Sequence, residues 1–374
     1  MAGFKEALEK KLYQSQFNDY GSDNYDEFRF GVNPHVNKPS YVPPHGTIIS
    51  IKQAIKKLTG YKYVPPVLPI TVLNETHLKG FEKIYDKLNP QGKSVLVDLM
   101  AYRQLGFKKV KLPRNNSKYW EEIKLAKTLG DNNDTIDPKF MHFMLEKYDL
   151  TKIGYDVKLY FMSMGIAIDY ITEQYCYQLN GKRIVEVEKD DTILDIGACW
   201  GDTAFYFASK SGEKGHVYSF EFIPGNINLF NKNLDFNPQL KKNITIVENP
   251  VSNKSGQQIY YKDFGPGSEV VTHPFDGQTG TTTTISIDDY VKQNNISKVD
   301  FIKMDIEGAE PYALQGAIET IKKFKPKLAI AIYHSMDDMV NIPNWILDLN
   351  LGYEIFIDHF TIHSEETVCF AKIK

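Results

Sequence analysis

From about residue 184 onward, short apolar runs alternate with amphipathic helical patterns, and few architectures accept that order. Residues 192–198, 217–222, 244–251, 300–306 and 328–333 read as strands. Residues 203–210, 226–237, 311–324 and 338–349 read as helices among them. Such alternation predicts a parallel sheet with helices on both faces. The run Leu328-Ala329-Ile330-Ala331-Ile332 is apolar throughout, as a strand covered on both sides requires. The last two strand patterns, 353–358 and 367–373, have no helix between them, so they pair antiparallel. Residues 259–262 are expected to start a short hairpin and 282–287 to add an edge strand. The fold class is therefore α/β: a Rossmann-like sheet with a terminal antiparallel strand pair, preceded by a mostly helical N-terminal domain.

Residues 1–150 read differently. They are polar, rich in Tyr and Lys, and punctuated by Pro43, Pro44, Pro65, Pro66, Pro69 and Pro113. Helical patterns cover 4–12, 51–58, 78–88 and 119–129, and 139–150 and 155–170 also look helical. The expected division is 1–150 for the helical part, serving acceptor binding or oligomerisation. A connecting segment over 151–184 covers a cofactor site, and 185–374 form the α/β domain.

Composition narrows the partners. The formal net charge is −3, which argues against nucleic acid or an anionic membrane. The basic group Lys108, Lys109, Lys111 and Arg114 reads as a solvated loop. The three cysteines, Cys176, Cys199 and Cys369, suggest neither a disulfide framework nor a zinc site, which fits the cytoplasm. The first residues lack the apolar core of a signal peptide, and no apolar run approaches the ~18 residues of a membrane span. The sequence leaves the oligomeric state open, a homo-oligomer included.

The loop after the first predicted strand of the α/β domain carries Asp195, Gly197, Gly201, Asp202 and Thr203. Glycine lets backbone pass close to a ligand, and ligands of open α/β sheets bind at the carboxyl ends of strands. A dinucleotide fingerprint needs G-x-G-x-x-G; here the spacing is G-x-x-x-G with acids at both ends. Asp195 and Asp202 would repel a pyrophosphate and suit a ligand bearing an ammonium and a sulfonium, that is, S-adenosylmethionine. The plain alternative is a tight turn with no ligand. Glu221 ends the next strand, where an acid can accept both hydroxyls of a ribose. That feature alone does not separate a nicotinamide cofactor from S-adenosylmethionine. Asn249, after the third strand, offers an amide to an adenine edge.

These residues resemble the FkbM-type methyltransferases. The resemblance rests on the Asp-x-Gly-x-x-x-Gly loop and on Ser219-Phe220-Glu221, with Phe222 delaying the usual proline to Pro224. It rests further on Thr284-Ile285-Ser286-Ile287-Asp288-Asp289, and on Val299-Asp300-Phe301-Ile302-Lys303-Met304-Asp305-Ile306-Glu307-Gly308-Ala309-Glu310. It covers roughly 150–374. It implies a class I methyltransferase sheet, S-adenosylmethionine as donor, and O-methylation of a hydroxyl on a sugar or a hydroxylated natural product. It also suggests that Gln174 and Tyr175 fold over the methionine end of the cofactor.

Methyl transfer needs an aligned acceptor oxygen and removal of its proton. Asp305 and Glu307 follow one strand and His334 ends the next, so the three converge on one pocket. Either Glu307 or His334 is a general base, or Asp305, Glu307 and His334 hold magnesium or manganese that acidifies the hydroxyl. The metal is the less favoured option. Glu310 reads as a helix N-terminal acid, and His359 and His363 as pocket walls. The expected acceptor is a nucleotide-activated sugar or a surface (capsular) polysaccharide unit. A natural product is the alternative, and a nicotinamide oxidoreductase or a non-catalytic scaffold ranks lower.

Overall fold

The computed structural model describes residues 3–32 and 68–374. The helix expected over 51–58 and the prolines at 43, 44, 65 and 66 lie outside them. Helices α1 (Phe4–Ser15), α2 (Glu27–Phe30), α3 (Glu75–Lys87), α4 (Pro90–Leu105) and α5 (Ser117–Lys127) come first. Asn74, Asn89 and Asn116 cap α3, α4 and α5 by accepting backbone N–H bonds. Sequence reading passed over α4. Its middle, Val95 to Ala101, is buried on every side, so no single apolar stripe marks it.

The chain then makes a three-stranded antiparallel sheet from β1 (Gly130–Ile136), β2 (Leu145–Asp149) and β3 (Lys158–Phe161). The helices expected over 139–150 and 155–170 are corrected by this sheet. Residues 145–149 pair with strands on both sides, and such pairing overrides local helical preference. Only Ser163–Gly165 and the π-helix Ile166–Thr172 are helical in the second stretch. A small hairpin follows, β4 (Tyr177–Leu179) with β5 (Lys182–Val185).

The α/β alternation then unfolds as expected. Its elements are β6 (Thr192–Ile196), α6 (Asp202–Ser211), β7 (His216–Phe220), α7 (Pro224–Asp235) and β8 (Ile244–Val247). Strands β9 (Gln258–Lys262), β10 (Glu269–Val271) and β11 (Gly280–Thr283) form a separate antiparallel sheet. The edge strand expected over 282–287 is therefore corrected: β11 pairs with β9 outside the main sheet, and Ser286 caps helix α8 (Ile287–Gln293). Next come β12 (Phe301–Met304), α9 (Glu310–Gln315), α10 (Ile318–Phe324), β13 (Lys327–Ala331), α11 (Met336–Asp348), β14 (Tyr353–His359) and β15 (Thr367–Ile373). The single helix expected over 311–324 is broken at Gly316, which packs on the backbone carbonyl of Ser252 with no room for a side chain.

The seven-stranded sheet has the order β14-β15-β13-β12-β6-β7-β8. Strand β15 runs antiparallel to both β13 and β14, and the other pairs are parallel. Both faces are buried. Leu194, Ile302, Ile330 and Ile357 enter one core together with Phe4, Leu8, Phe81 and Leu96 of the N-terminal helices. Ile193, Phe301, Ala329 and Phe356 enter a second core with Tyr119, Tyr148 and Phe207. That explains apolar strands without polar alternation. Among the described residues no helix is long and apolar enough to cross a membrane.

The N-terminal region also reaches the β14–β15 connection. Arg29 pairs with Glu365 at 2.7 Å, and Arg103 donates to the carbonyls of Tyr333 and Ser364. Asp26 lies 3.5 Å from buried His363. Two of the basic group are committed to internal bonds, Lys109 donating to Asn18 O and Arg114 to His359 O, while Lys108 is exposed.

Candidate active site at the sheet switch point

Sheet order reverses between β6 and β12, so their carboxyl ends flank the crevice where open α/β sheets bind ligands. One charged row runs across this point. Lys303 on β12, Asp195 on β6 and Ser219 on β7 are register partners on adjacent strands. Lys303 and Asp195 are 2% and 0% exposed and their charged atoms lie 3.3 Å apart. Asp195 also accepts from Thr203 Oγ1 at 2.9 Å and from Ser219 Oγ at 3.3 Å. Lys303 Nζ donates to Gly197 O at 2.6 Å, tying the loop to the sheet. Sequence reading missed Lys303. Its signal was a lone charge inside an otherwise apolar strand, which demands a buried partner.

The loop itself is tightly built. Gly197 and Gly201 have φ of 88° and 89°, in the left-handed region that glycine occupies without penalty. A side chain at Gly197 would meet the backbone carbonyl of Asp305, and one at Gly201 would meet Phe230 and Phe205. These glycines are thus demanded by packing. Cys199 sits at φ 44° and burial pushes its thiol well up, so it is no nucleophile.

Asp202 opens α6, and its backbone carbonyl accepts from Tyr170 at 2.7 Å. Burial, against the pull of Lys303, raises its carboxyl to about 7. Glu221 accepts from the backbone N–H groups of Phe222 and Ile223 and from Asn226 Nδ2. Burial still raises it to about 7. Oε1 takes both backbone bonds, so it is Oε2, bonded only to Asn226, that keeps a lone pair for a ligand hydroxyl. Asn249 is half-buried, and its amide donates to Thr283 O at 3.0 Å.

Beyond β12, Asp305 is held by two tyrosines: Tyr333 donates at 3.1 Å and Tyr175 at 3.3 Å. Gln174 donates to Glu366 at 2.7 Å. Burial, then the charge of Asp305, raises Glu366 to about 8. Burial and Asp202 raise buried Asp169 as well. Tyr333, Glu366 and Asp169 escaped the sequence reading, because only long-range folding brings them beside Asp305. This crowd of buried carboxylates fits a cationic ligand, since a positive charge would relieve their mutual repulsion.

Glu307 has φ 57°, an uncommon, strained state for a non-glycine residue, and its side chain is 60% exposed. Burial and Asp305 raise its carboxyl to about 7, with His334 opposing. His334 is 9% exposed and surrounded by acids: Nδ1 lies 3.2 Å from Glu310, and Nε2 lies 3.4 Å from Asp305 and 3.6 Å from Glu307. Burial disfavours its cation, but the three carboxylates prevail and raise it to about 9. Asp305, Glu310 and His334 are the side chains close enough to surround an ion among the described residues, with Glu310 in the place that sequence reading gave to Glu307. The ring stands between the carboxylates, Nδ1 toward Glu310 and Nε2 toward Asp305 and Glu307. A coordinating imidazole uses one nitrogen, so the arrangement fits an imidazolium better than a chelated metal.

His359 and His363 are buried. Burial drives His359 down to about 3, and its Nδ1 contacts Thr367 Oγ1 at 2.8 Å. They secure the loop between β14 and β15. A cleft of about 970 Å³ lies at the opposite end of the sheet, lined by residues such as Tyr155, Tyr170, Arg183 and Lys210 around Glu173. Glu173 is already paired with Arg183 and Lys210 there.

The raised carboxyls have a common consequence for stability. Asp202, Glu221 and Glu366 have folded-state values above their ordinary ones, so their contribution is complete below the ordinary carboxylate range and is lost as pH rises through about 7 to 8. Without cofactor, the protein is expected to melt at a higher temperature at pH 5.5 than at pH 8.5, and Glu366→Gln should flatten the difference. Differential scanning fluorimetry checks this; a wild-type melting temperature that climbs toward pH 8.5 would contradict it.

Residues 195–355 match the family model described as the methyltransferase FkbM domain. No curated protein matches the sequence significantly. Among solved structures, the methyltransferase FkbM of Methylobacillus flagellatus KT aligns at 17% identity with a TM-score of 0.49, covering 90% of this chain and 72% of that one. Aeropyrum pernix fibrillarin, in complex with S-adenosyl-L-methionine, aligns at 13% identity and a TM-score of 0.33, covering 64% and 99%. Methanococcus jannaschii fibrillarin aligns at 18% identity and a TM-score of 0.32, covering 61% and 93%. Over residues 195–355 the chain is therefore similar to the methyltransferase FkbM domain.

Proposed function

We propose that this chain is an S-adenosylmethionine-dependent methyltransferase of the FkbM type and that it methylates a hydroxyl of a sugar, either a surface (capsular) polysaccharide unit or a nucleotide-activated sugar. The observation that carries the reading is Glu307, a carboxylate at the switch-point crevice backed by the His334 imidazolium at 3.6 Å. When bound, S-adenosylmethionine supplies an electrophilic methyl group. Glu307 takes the hydroxyl proton as the acceptor oxygen attacks, and its value of about 7 suits that task near neutral pH. His334 offsets part of the rise in Glu307 and stays charged itself, so it serves as an orienting cation and the reaction needs no metal.

Glu221 binds the ribose hydroxyls, and Asn249 faces the adenine. Gly197, Gly201 and Thr203 shape the floor. Asp195 acts through Lys303, holding the loop in place. Asp202, Gln174, Tyr175 and Asp305 surround the methionine end. Of the two sugar forms, Asp305, Glu307, Glu365 and Glu366 favour an uncharged polysaccharide unit over a diphosphate, with Arg29 the nearby counter-charge. A hydroxylated natural product is the alternative acceptor. The N-terminal region contributes to the acceptor wall through Arg29. The three free cysteines fit a cytoplasmic enzyme.

Incubation with methyl-labelled S-adenosylmethionine and a panel of oligosaccharides, nucleotide sugars and polyketide alcohols tests the reading. Label on an oligosaccharide hydroxyl, undiminished by EDTA, is expected. Label only on a non-sugar alcohol, or loss of transfer with EDTA, would overturn the acceptor or the metal-free mechanism respectively. Glu221→Ala should weaken cofactor binding about 10- to 100-fold, the worth of a charge-assisted hydrogen bond. Calorimetry showing unchanged affinity would refute the ribose role.

A further inference from the structure

The base reading leaves Glu310 without a part in the reaction, yet the residue is 0% exposed and sits beneath the site. Glu310 Oε1 accepts the backbone N–H of Ile306 at 2.7 Å, which closes the turn over residues 306–310. The same oxygen lies 3.2 Å from His334 Nδ1, an ion-pair contact without hydrogen-bond alignment, and both ring nitrogens are buried with no hydrogen-bond partner. Its other oxygen, Oε2, is buried with no donor. A buried carboxylate with an orphaned oxygen calls for an explanation beyond opening a short helix.

We propose that Glu310 is a positioning residue: its carboxylate holds the Nδ1 edge of His334 from below, so that the Nε2 edge faces Asp305 and Glu307. The proposal rests on the reading of Glu307 as the base. Three chain segments meet here. Glu310 begins α9, His334 follows β13, and Asp305 and Glu307 follow β12. Gly308, at φ 93°, makes the turn that lets Glu310 double back under the ring, and the nearest atom to its open side is His334 Cβ. An imidazole turns about a soft terminal torsion. Without an anchor on one edge, either edge could face the crevice, and only one presents an N–H toward Glu307. The Glu310 turn fixes that choice, and its negative charge favours a ring protonated on both nitrogens. The other acids that interact with the ring are Asp305, Glu307, Glu366 and Asp338, so Glu310 is distinguished by burial and by the edge it holds.

The test uses the full chain labelled with 15N-histidine, with His334→Gln assigning the ring signals. In the wild-type protein the His334 ring is expected to stay doubly protonated through pH 8. In Glu310→Gln it should lose its proton at least about one pH unit lower, and Glu310→Asp should be intermediate. The affinity for S-adenosylmethionine, read by calorimetry, should stay within about threefold because Glu310 does not touch the crevice. Identical His334 titrations in wild type and Glu310→Gln would overturn the proposal. With the panel acceptor turned over best, Glu310→Gln should lower kcat about tenfold or more at unchanged KM for the cofactor. Should Glu307→Gln retain full turnover while Glu310→Gln still shifts the ring, the base reading fails and the positioning role stands.

Discussion

Lys303→Ala is expected to destabilise the protein by about 3–5 kcal/mol, the cost of stripping one partner from a buried ion pair. Lys303 and Asp195 are 2% and 0% exposed, so neither can fall back on water. Removing the ammonium leaves the Asp195 carboxylate with only the Thr203 and Ser219 hydroxyls. It also frees the Gly197 carbonyl, so the loop loses its tie to β12. Urea unfolding followed by circular dichroism measures the change. A loss below about 1 kcal/mol would show the pair to be solvated in practice. The double variant Lys303→Met with Asp195→Leu separates charge from packing. Because well-packed apolar pairs can replace buried ion pairs, it should recover much of the lost stability. Its cofactor affinity should still fall, since Gly197 is no longer tethered.

Glu307→Gln is expected to lower turnover by about 10²–10⁴, the usual weight of a general base. Glutamine keeps the size and most contacts of the side chain, so cofactor affinity should change by less than about threefold. In the wild-type enzyme the same carboxyl should set the acidic limb of the kcat profile near pH 7, with activity lost as Glu307 protonates. The His334 cation, raised to about 9, should set an alkaline limb. Transfer of labelled methyl to the accepted sugar, measured from pH 5 to 10, checks both. Full turnover in Glu307→Gln would remove it as the base.

The parts of this site that were legible in the sequence are local. Gly197, Gly201 and Glu221 announce themselves through spacing after a strand, because a loop between β6 and α6 needs those backbone states wherever the rest of the chain lies. Strand alternation gave the sheet for the same reason. The unread parts depend on register and distance. Lys303 matters because β12 lies beside β6 with Lys303 level with Asp195. Glu366 matters because a loop more than 60 residues beyond Asp305 folds back to meet Tyr333 and Gln174. Residues 145–149 carry a pattern compatible with a helix and become a strand only once β1 and β3 are there to pair with them. Glu310 was read correctly as a helix-start acid, since it is the first residue of α9. Its neighbour, His334, is set by packing between strands.

The position of β15 bears on how the enzyme comes into being on the ribosome. It is the later strand in the chain, yet it lies inside the sheet, between β13 and β14. During synthesis, β13 must wait with one edge unpaired until residues 367–373 have emerged, and an apolar open edge is prone to wrong pairing. The loop that delivers Glu365 and Glu366 arrives only just before. The nascent chain can therefore complete the loop of Gly197 and Gly201 early, while the surroundings of Glu366 form later, as β15 closes into the sheet.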